Sequence, residues 1–336
     1  MKACVFKTSG APLEVIEVPD PKAGPGEVVV RVKNCGICGS DLHAAQYGVV
    51  PAGTIMGHEF SAVVDELGAG VTGFRPGDPV MVVPMINCGE CEFCRSGQAI
   101  LCNKGTGIGF EAPGAYAEKV RTRPEVLLKM PPGLSHRAAA TVEPVVVGLH
   151  GLHRSKLLAG ETCVVMGAGP IGLVTTMWAR FAGARAVVVS EMAEGRRAMA
   201  LKMGADVVVN PRERSPVKEL VEMTGDGPDV VFECIGVPGT IGEAIRYVRK
   251  GGRVIVIGAC PENDTISPMR ALKREVDLRF SSGADPGEFQ TAMALLASGK
   301  ISTEPMISHV VGINDFPRAF SELSRPTDQC KVMLEF

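Results

Sequence analysis

The sequence predicts a chain of two parts, α/β plus β: a barrel-like all-β region first, then a doubly wound parallel sheet with helices on both faces. Three observations carry this. Residues 1 to about 147 are short β-rich runs broken by Gly and Pro. From about residue 160, apolar runs of strand length alternate with segments of helix length. At 336 residues the chain also exceeds the roughly 250–300 that one hydrophobic core usually serves.

In the first region the strands are "KACVF", "LEVIEV", "EVVVRVKNCG", "FSAVVDELG", "DPVMVV", "GAYAEKV" and "VLLKMP", an all-β reading. In the second they are "TCVVMG", "AVVVSE", "DVVVN", "DVVFECIG", "RVIVIG" and "VDLRFSS". Segments such as "PIGLVTTMWARFAG" and "TIGEAIRYVRKGG" lie between them at helix length, and strand–helix alternation of this kind builds a parallel sheet. From about residue 284 the tail adds a helix, "GEFQTAMALLASGK", and a closing strand, "KVMLEF".

Apolar residues make up 46% and charged residues 21%, which excludes disordered, collagen-like and coiled-coil classes. Thirty-five basic against thirty-seven acidic side chains leave a net charge of −2. Nothing there draws the chain to a phosphate backbone or an anionic lipid, so neither nucleic acid nor membrane is expected as a partner. No run approaches the ~18 apolar residues of a membrane span, and "MKACVFKTSGAPLEVIEVPD" lacks the apolar core of a signal peptide. A cytoplasmic location is expected. The 11 cysteines are then free thiols or metal ligands, because a reducing compartment keeps disulfides open.

"GAGPIG" sets Gly167, Gly169 and Gly172 at G-x-G-x-x-G spacing, directly after the strand "TCVVM", with Pro170 and Ile171 opening the next helix. Such a turn needs glycine for its tightness, for backbone approach to a pyrophosphate and for packing helix on strand. The helix start then offers unpaired N–H groups to phosphate. Glu191 ends the following strand, where a carboxylate can bond an adenosine ribose and would repel a 2′-phosphate. NAD is therefore expected. Arg196 and Arg197, just past Glu191, could accommodate a 2′-phosphate and keep NADP open.

"NCGECEFCRSGQAILCNKG" packs Cys88, Cys91, Cys94 and Cys102 into fifteen residues. One loop can wrap four thiolates around zinc as a tetrahedron, and four protein ligands leave no place for water, which makes the expected site structural. An iron–sulfur cluster is the main rival, though its fourth cysteine is usually spaced differently. A metal would fold a lobe too short for its own core.

Three further fragments hold donor groups: "CGICGSDLH" with Cys38, Ser40, Asp41 and His43, "GHEF" with His58 and Glu59, and "TVEPVVVGLH" with Glu143. Singly they read as a C-x-x-C pair of Cys35 and Cys38, a core histidine and a solvated charge. Together, in order with the four-cysteine lobe and "GAGPIG", they resemble the zinc-dependent medium-chain alcohol dehydrogenases, and the sorbitol and threonine dehydrogenase branch in particular. The resemblance runs along nearly the whole chain. It implies a GroES-like β-barrel catalytic domain over 1–147 with a zinc lobe at 86–104, a Rossmann cofactor domain over 148–284, and a return of 285–336 to the first domain. It implies two zinc ions per chain, an alcohol/ketone substrate, and a homodimer or homotetramer.

By the same resemblance Cys38, His58 and Glu143 would hold the catalytic zinc, with Glu59 as a nearby or exchanging fourth ligand. Asp41 would fix the ring of His58. Ser40 would accept the substrate hydroxyl's proton and His43 would pass it on through the nicotinamide ribose. Gly258 would carry backbone past the nicotinamide. The chain departs from the sorbitol dehydrogenase pattern where polyol-gripping Tyr and Arg-Tyr residues are replaced by Ala44 and Ser281–Ser282. A many-hydroxyl substrate would be left underpaired there. With "AAQYGVVPAGTIM", Ile108 and Phe110 also mainly small or apolar, a secondary alcohol with an apolar or alicyclic body is expected. An enone or quinone reductase of the same fold would not need the Cys38, His58 and Glu143 set, and a non-catalytic zinc- and NAD-binding regulator is the alternative from another class.

Overall fold

The first unit begins with an antiparallel pair, β1 (Lys2–Val5) and β2 (Glu14–Glu17). The computed structural model describes residues 1–324 and 328–336, and the chain divides into residues 1–143, 285–300 and 307–336 in this unit and 144–284 and 301–306 in the other. The long β3 (Val28–Gly36) is buried along most of its length, with Arg31 exposed and Lys33 half-buried, as a central strand covered on both faces requires. Then come α1 (Gly39–Tyr47), β4 (Glu59–Leu67) and β5 (Pro79–Val82). A small lobe follows, with β6 (Met85–Ile86), α2 (Glu92–Arg95) and β7 (Thr106–Gly107). The first stretch closes with β8 (Lys119–Thr122), β9 (Leu127–Lys129) and α3 (His136–Ala140).

Helix α4 (Val142–Ser155) leads into the second unit. There β10 (Thr162–Met166), α5 (Pro170–Phe181), β11 (Ala186–Ser190), α6 (Glu194–Lys202) and β12 (Val207–Val209) form one half. Across α7 (Pro216–Thr224), the other half holds β13 (Val230–Glu233), α8 (Thr240–Tyr247), β14 (Arg253–Val256), α9 (Pro268–Arg274) and β15 (Asp277–Phe280). All six strands are parallel, in the order β12-β11-β10-β13-β14-β15. Strand order reverses at β10, the switch point where such sheets bind nucleotides. Every residue of β10 and β11 is buried, which explains their unbroken apolar sequences.

The tail returns to the first unit as α10 (Pro286–Ala297), β16 (Ile307–Val311), α11 (Phe316–Leu323) and β17 (Lys331–Glu335). β17 runs antiparallel to β3 and parallel to β16, completing a sheet ordered β16-β17-β3-β4-β5-β9, with β8 on β3. The chain's last strand is thus central to the first unit's sheet. Residues 301–306 belong to the second unit.

The first region is not all-β, as its sequence suggested. Residues 39–47 form α1, which carries Ser40, Asp41 and His43. Its start is secured by Asp41, whose Oδ2 accepts from the backbone N–H of Cys38 at 3.0 Å, and its end by Gly48 in the left-handed region. The run "GAYAEKV" becomes strand only from Lys119 onward. Before that, Ala115 and Tyr116 donate their N–H groups to Gly57 and Met56, outside the main sheet.

Candidate metal centres and cofactor site

Cys38 caps the start of α1, and His58 and Glu59 stand where the chain enters β4. The turn before His58 needs Gly57, whose φ is +94°. These elements gather one ligand atom each from Cys38, His58 and Glu59 within 4.8 Å of one another. Thiolate, imidazole and carboxylate together suit zinc. Asp41, fully buried, sets its Oδ1 3.3 Å from His58 Nδ1, and among the described residues neither atom has a hydrogen-bonding partner of proper geometry. That orientation leaves Nε2 of His58 as its ligand nitrogen.

Burial disfavours a charged His58, yet the Asp41 carboxylate and the Cys38 thiol raise its pKa well above the ordinary value. Burial drives the Asp41 carboxyl up, but His58, the Tyr116 hydroxyl and the Cys38 amide together hold it below the ordinary value. The surroundings favour positive charge at this point, which is what a divalent ion would supply. The donor chemistry and the electrostatics both fit zinc.

Glu143 stands outside the cluster of three. Burial pushes its carboxyl up to about 7, with His58 opposing the rise and Glu59 adding to it. Glu59 is engaged already: Lys331 Nζ donates to its two oxygens at 2.8 and 2.5 Å and to the Ile37 carbonyl at 2.8 Å. Burial would lower the Lys331 pKa, but Glu59 raises it overall. Lys331 was not singled out from sequence. Its signal was a lysine opening an otherwise apolar strand, which is also how an ordinary strand edge begins.

Ser40 and His43 lie three residues apart on α1, a spacing that puts them on one helix face. Both are half-buried, and the His43 ring meets Tyr47 edge-on at 6.2 Å. Ala44, by contrast, is packed into the core at 2% exposure. The ring of Phe110 lies 5.4 Å from that of His58.

The four-cysteine lobe gathers Cys88, Cys91, Cys94 and Cys102, with sulfur–sulfur separations of 3.4 to 3.9 Å for the pairs 91/94, 88/102, 88/94 and 91/102. A tetrahedron with zinc–sulfur bonds of ~2.3 Å has an edge of about 3.8 Å, so the separations fit one ion and no disulfide. Backbone N–H groups of Cys94 and Cys88 donate to the sulfurs of Cys91 and Cys102. Amides of Glu90 and Cys91 hold the Cys88 thiol down at about 6, whereas burial pushes Cys94 up to about 12.

In the second unit the glycine turn has three distinct duties. A Cβ on Gly172 would lie 2.0 Å from the Gly167 carbonyl oxygen, so that position is closed by packing. Gly167 needs its φ of +90°. Gly169 caps α5, and a Cβ there would meet nothing within 4 Å, the open approach a pyrophosphate requires. Pro170 occupies the first turn of α5, where its missing N–H costs nothing, and Ile171 follows it. Glu191 follows β11 and accepts from the N–H groups of Ala168 and Ala193, each at 2.8 Å, which ties the acid to the turn. Arg197 caps the carbonyls of Glu191 and Met192, and Arg196 precedes it on α6. Gly258 is required by packing, since its Cβ would lie 2.4 Å from Gly236 N and 2.6 Å from Glu233 Oε2.

A GroES-like unit with a sulfur–imidazole–carboxylate centre and a Rossmann unit with an open glycine turn together define a zinc-dependent, nucleotide-linked oxidoreductase class. The family model of the alcohol dehydrogenase GroES-like domain matches residues 24–132, and that of the zinc-binding dehydrogenases matches residues 170–298. L-threonine 3-dehydrogenase of Pyrococcus horikoshii is 35% identical, covering 98% of this chain and 97% of the relative. Sorbitol dehydrogenase of Bacillus subtilis is 32% identical, covering 99% and 97%. The crystal structure of 2R,3R-butanediol dehydrogenase from Bacillus subtilis superposes with a TM-score of 0.91 at 30% identity, covering 100% of this chain and 99% of that one. The chain belongs to the zinc-dependent medium-chain alcohol dehydrogenase family. It is an oxidoreductase of that family acting on small alcohols, and among its described residues no helix is long and apolar enough to cross a membrane.

Proposed function

We propose that the chain oxidises a secondary alcohol with an apolar or alicyclic body, or reduces the matching ketone, with NAD as hydride carrier and two zinc ions per chain. The cluster of Cys38, His58 and Glu59 within 4.8 Å carries this reading. Its relatives are named for threonine, sorbitol and butanediol, so the substrate must be inferred from this chain's own residues. Phe110 beside His58 supports an apolar wall, whereas Ala44 is packed into the core and bears on the substrate in neither direction.

When bound at this cluster, zinc supplies Lewis acidity towards the substrate oxygen and NAD supplies the hydride acceptor. The chain's residues do the rest. Cys38 and His58 would hold the ion, and Glu143, buried and raised to about 7, would be its carboxylate ligand. Glu59 stays with Lys331 and is available as an exchanging ligand. Ser40 takes the substrate's hydroxyl proton and His43, one turn further along α1, relays it outward. Glu191 binds the adenosine ribose and disfavours a 2′-phosphate. Strand β15 ends its sheet with Phe280 exposed, which supports association into a homodimer or homotetramer.

A panel of secondary alcohols and polyols, followed by nicotinamide absorbance with NAD and with NADP, tests this. An apolar secondary alcohol should exceed sorbitol in kcat/KM by about tenfold or more. Preference for sorbitol or threonine overturns the substrate reading. Glu191→Ala should narrow the preference for NAD over NADP by roughly tenfold, the loss of one ribose contact; preference for NADP in the parent enzyme contradicts the role given to Glu191.

A further inference from the structure

We infer that Tyr116 is a positioning residue for the mixed-donor metal centre: its phenol holds Asp41 so that Asp41 can orient His58. This deepens the zinc-dehydrogenase reading and rests on it. Tyr116 is completely buried, its ring packed 4.6 Å from Phe316 and 6.1 Å from Phe320. A phenylalanine would pack there equally well, so the hydroxyl needs its own explanation, because a buried O–H without a partner costs stability. Its oxygen donates to Asp41 Oδ2 at 2.6 Å. The same Oδ2 accepts from Cys38 N at 3.0 Å, while Oδ1 faces His58 Nδ1. One carboxylate thus joins the two segments that bring Cys38 and His58, and Tyr116 sets its plane.

The backbone repeats the connection. Tyr116 N donates to Met56 O at 2.9 Å and Ala115 N to Gly57 O at 2.8 Å, fixing the two residues that precede His58. A Cβ on Gly57 would stand 2.5 Å from the Tyr116 ring, so glycine before His58 and tyrosine at 116 fit each other. A tyrosine that only filled space would not need its hydroxyl on the carboxylate that faces His58 Nδ1.

The test compares zinc affinity at the two centres by chelator competition in the full-length protein, with the four-cysteine lobe as internal reference. Tyr116→Phe should weaken the mixed-donor centre by about tenfold to a hundredfold and leave the lobe unchanged. Asp41→Asn should weaken it as well, and adding Tyr116→Phe to Asp41→Asn should cost nothing further, because the phenol acts through that carboxylate. Unchanged affinity in Tyr116→Phe, or losses that simply add, overturns the inference. Should Tyr116→Phe not fold, 3-fluorotyrosine placed at position 116 decides: its fluorine resonance shifts when the second ion binds if the phenol belongs to the centre, and a still resonance refutes it. Failure of the underlying reading is visible earlier, as a parent protein that binds no second ion.

Discussion

The four-cysteine lobe and the mixed-donor centre lie in the same unit, yet they are built in opposite ways. The lobe draws all its ligands from residues 88 to 102 and closes them at 3.4 to 3.9 Å, with no ligand from elsewhere in the chain. The mixed centre collects Cys38 from a helix cap and His58 and Glu59 from a strand entry, then relies on Lys331, 272 residues beyond Glu59, to neutralise it. A local site can be complete once its loop closes. A dispersed one is complete only when the C-terminal strand has been added to the sheet, so its chemistry is linked to the fold of the whole first unit.

The largest effect should come from separating the two centres. Cys38→Ser should remove one zinc per chain and lower kcat by about a thousandfold, some 4 kcal/mol of lost stabilisation, while the lobe keeps its ion. Metal analysis beside steady-state kinetics checks this, and loss of both ions would mean that the centres are not independent. Lys331→Met comes next. It leaves the Glu59 carboxylate buried without its cation, which should cost about 3–5 kcal/mol in denaturant unfolding. A cost below about 1 kcal/mol, typical of exposed pairs, would show that the dispersed centre does not depend on the last strand.

A smaller, pH-dependent effect belongs to Glu143. Its ordinary value is 4.5 and the folded value is about 7, so between these the metal-free folded protein binds more protons than the unfolded chain. Stability should therefore fall as pH rises from 4.5 to 7 and then level off, by on the order of a few kcal/mol. Thermal or denaturant unfolding of the metal-free protein across that range reads it directly. Glu143→Gln should flatten the slope, and a slope unchanged by that substitution would place its origin elsewhere.

The same contrast decides what could be read in advance. The lobe was legible because all four ligands sit in one loop, and the six parallel strands because burial on both faces leaves unbroken apolar runs such as "TCVVM" and "AVVVS". Helix α1 leaves no apolar stripe in the sequence because it buries only Asp41 and Ala44; its markers are Asp41 at the start and Gly48 at the end. Family resemblance supplied Cys38, His58 and Glu143, and the structure groups the first two with Glu59 while holding Glu143 apart. Tyr116 carries no local signal, and Lys331 only the one that any lysine at a strand edge gives. Their partners are 75 and 272 residues away, and only the folded first unit brings them into contact.

We propose that one chain holds two zinc centres of different ligand chemistry. X-ray absorption at the zinc edge, on the parent protein and on Cys38→Ser, tests it most directly. The parent should contain two zinc ions with a mixed sulfur and nitrogen/oxygen shell, and the variant one ion surrounded by four sulfurs at ~2.3 Å. A parent with a single ion, or a nitrogen/oxygen shell that survives in Cys38→Ser, would contradict the account.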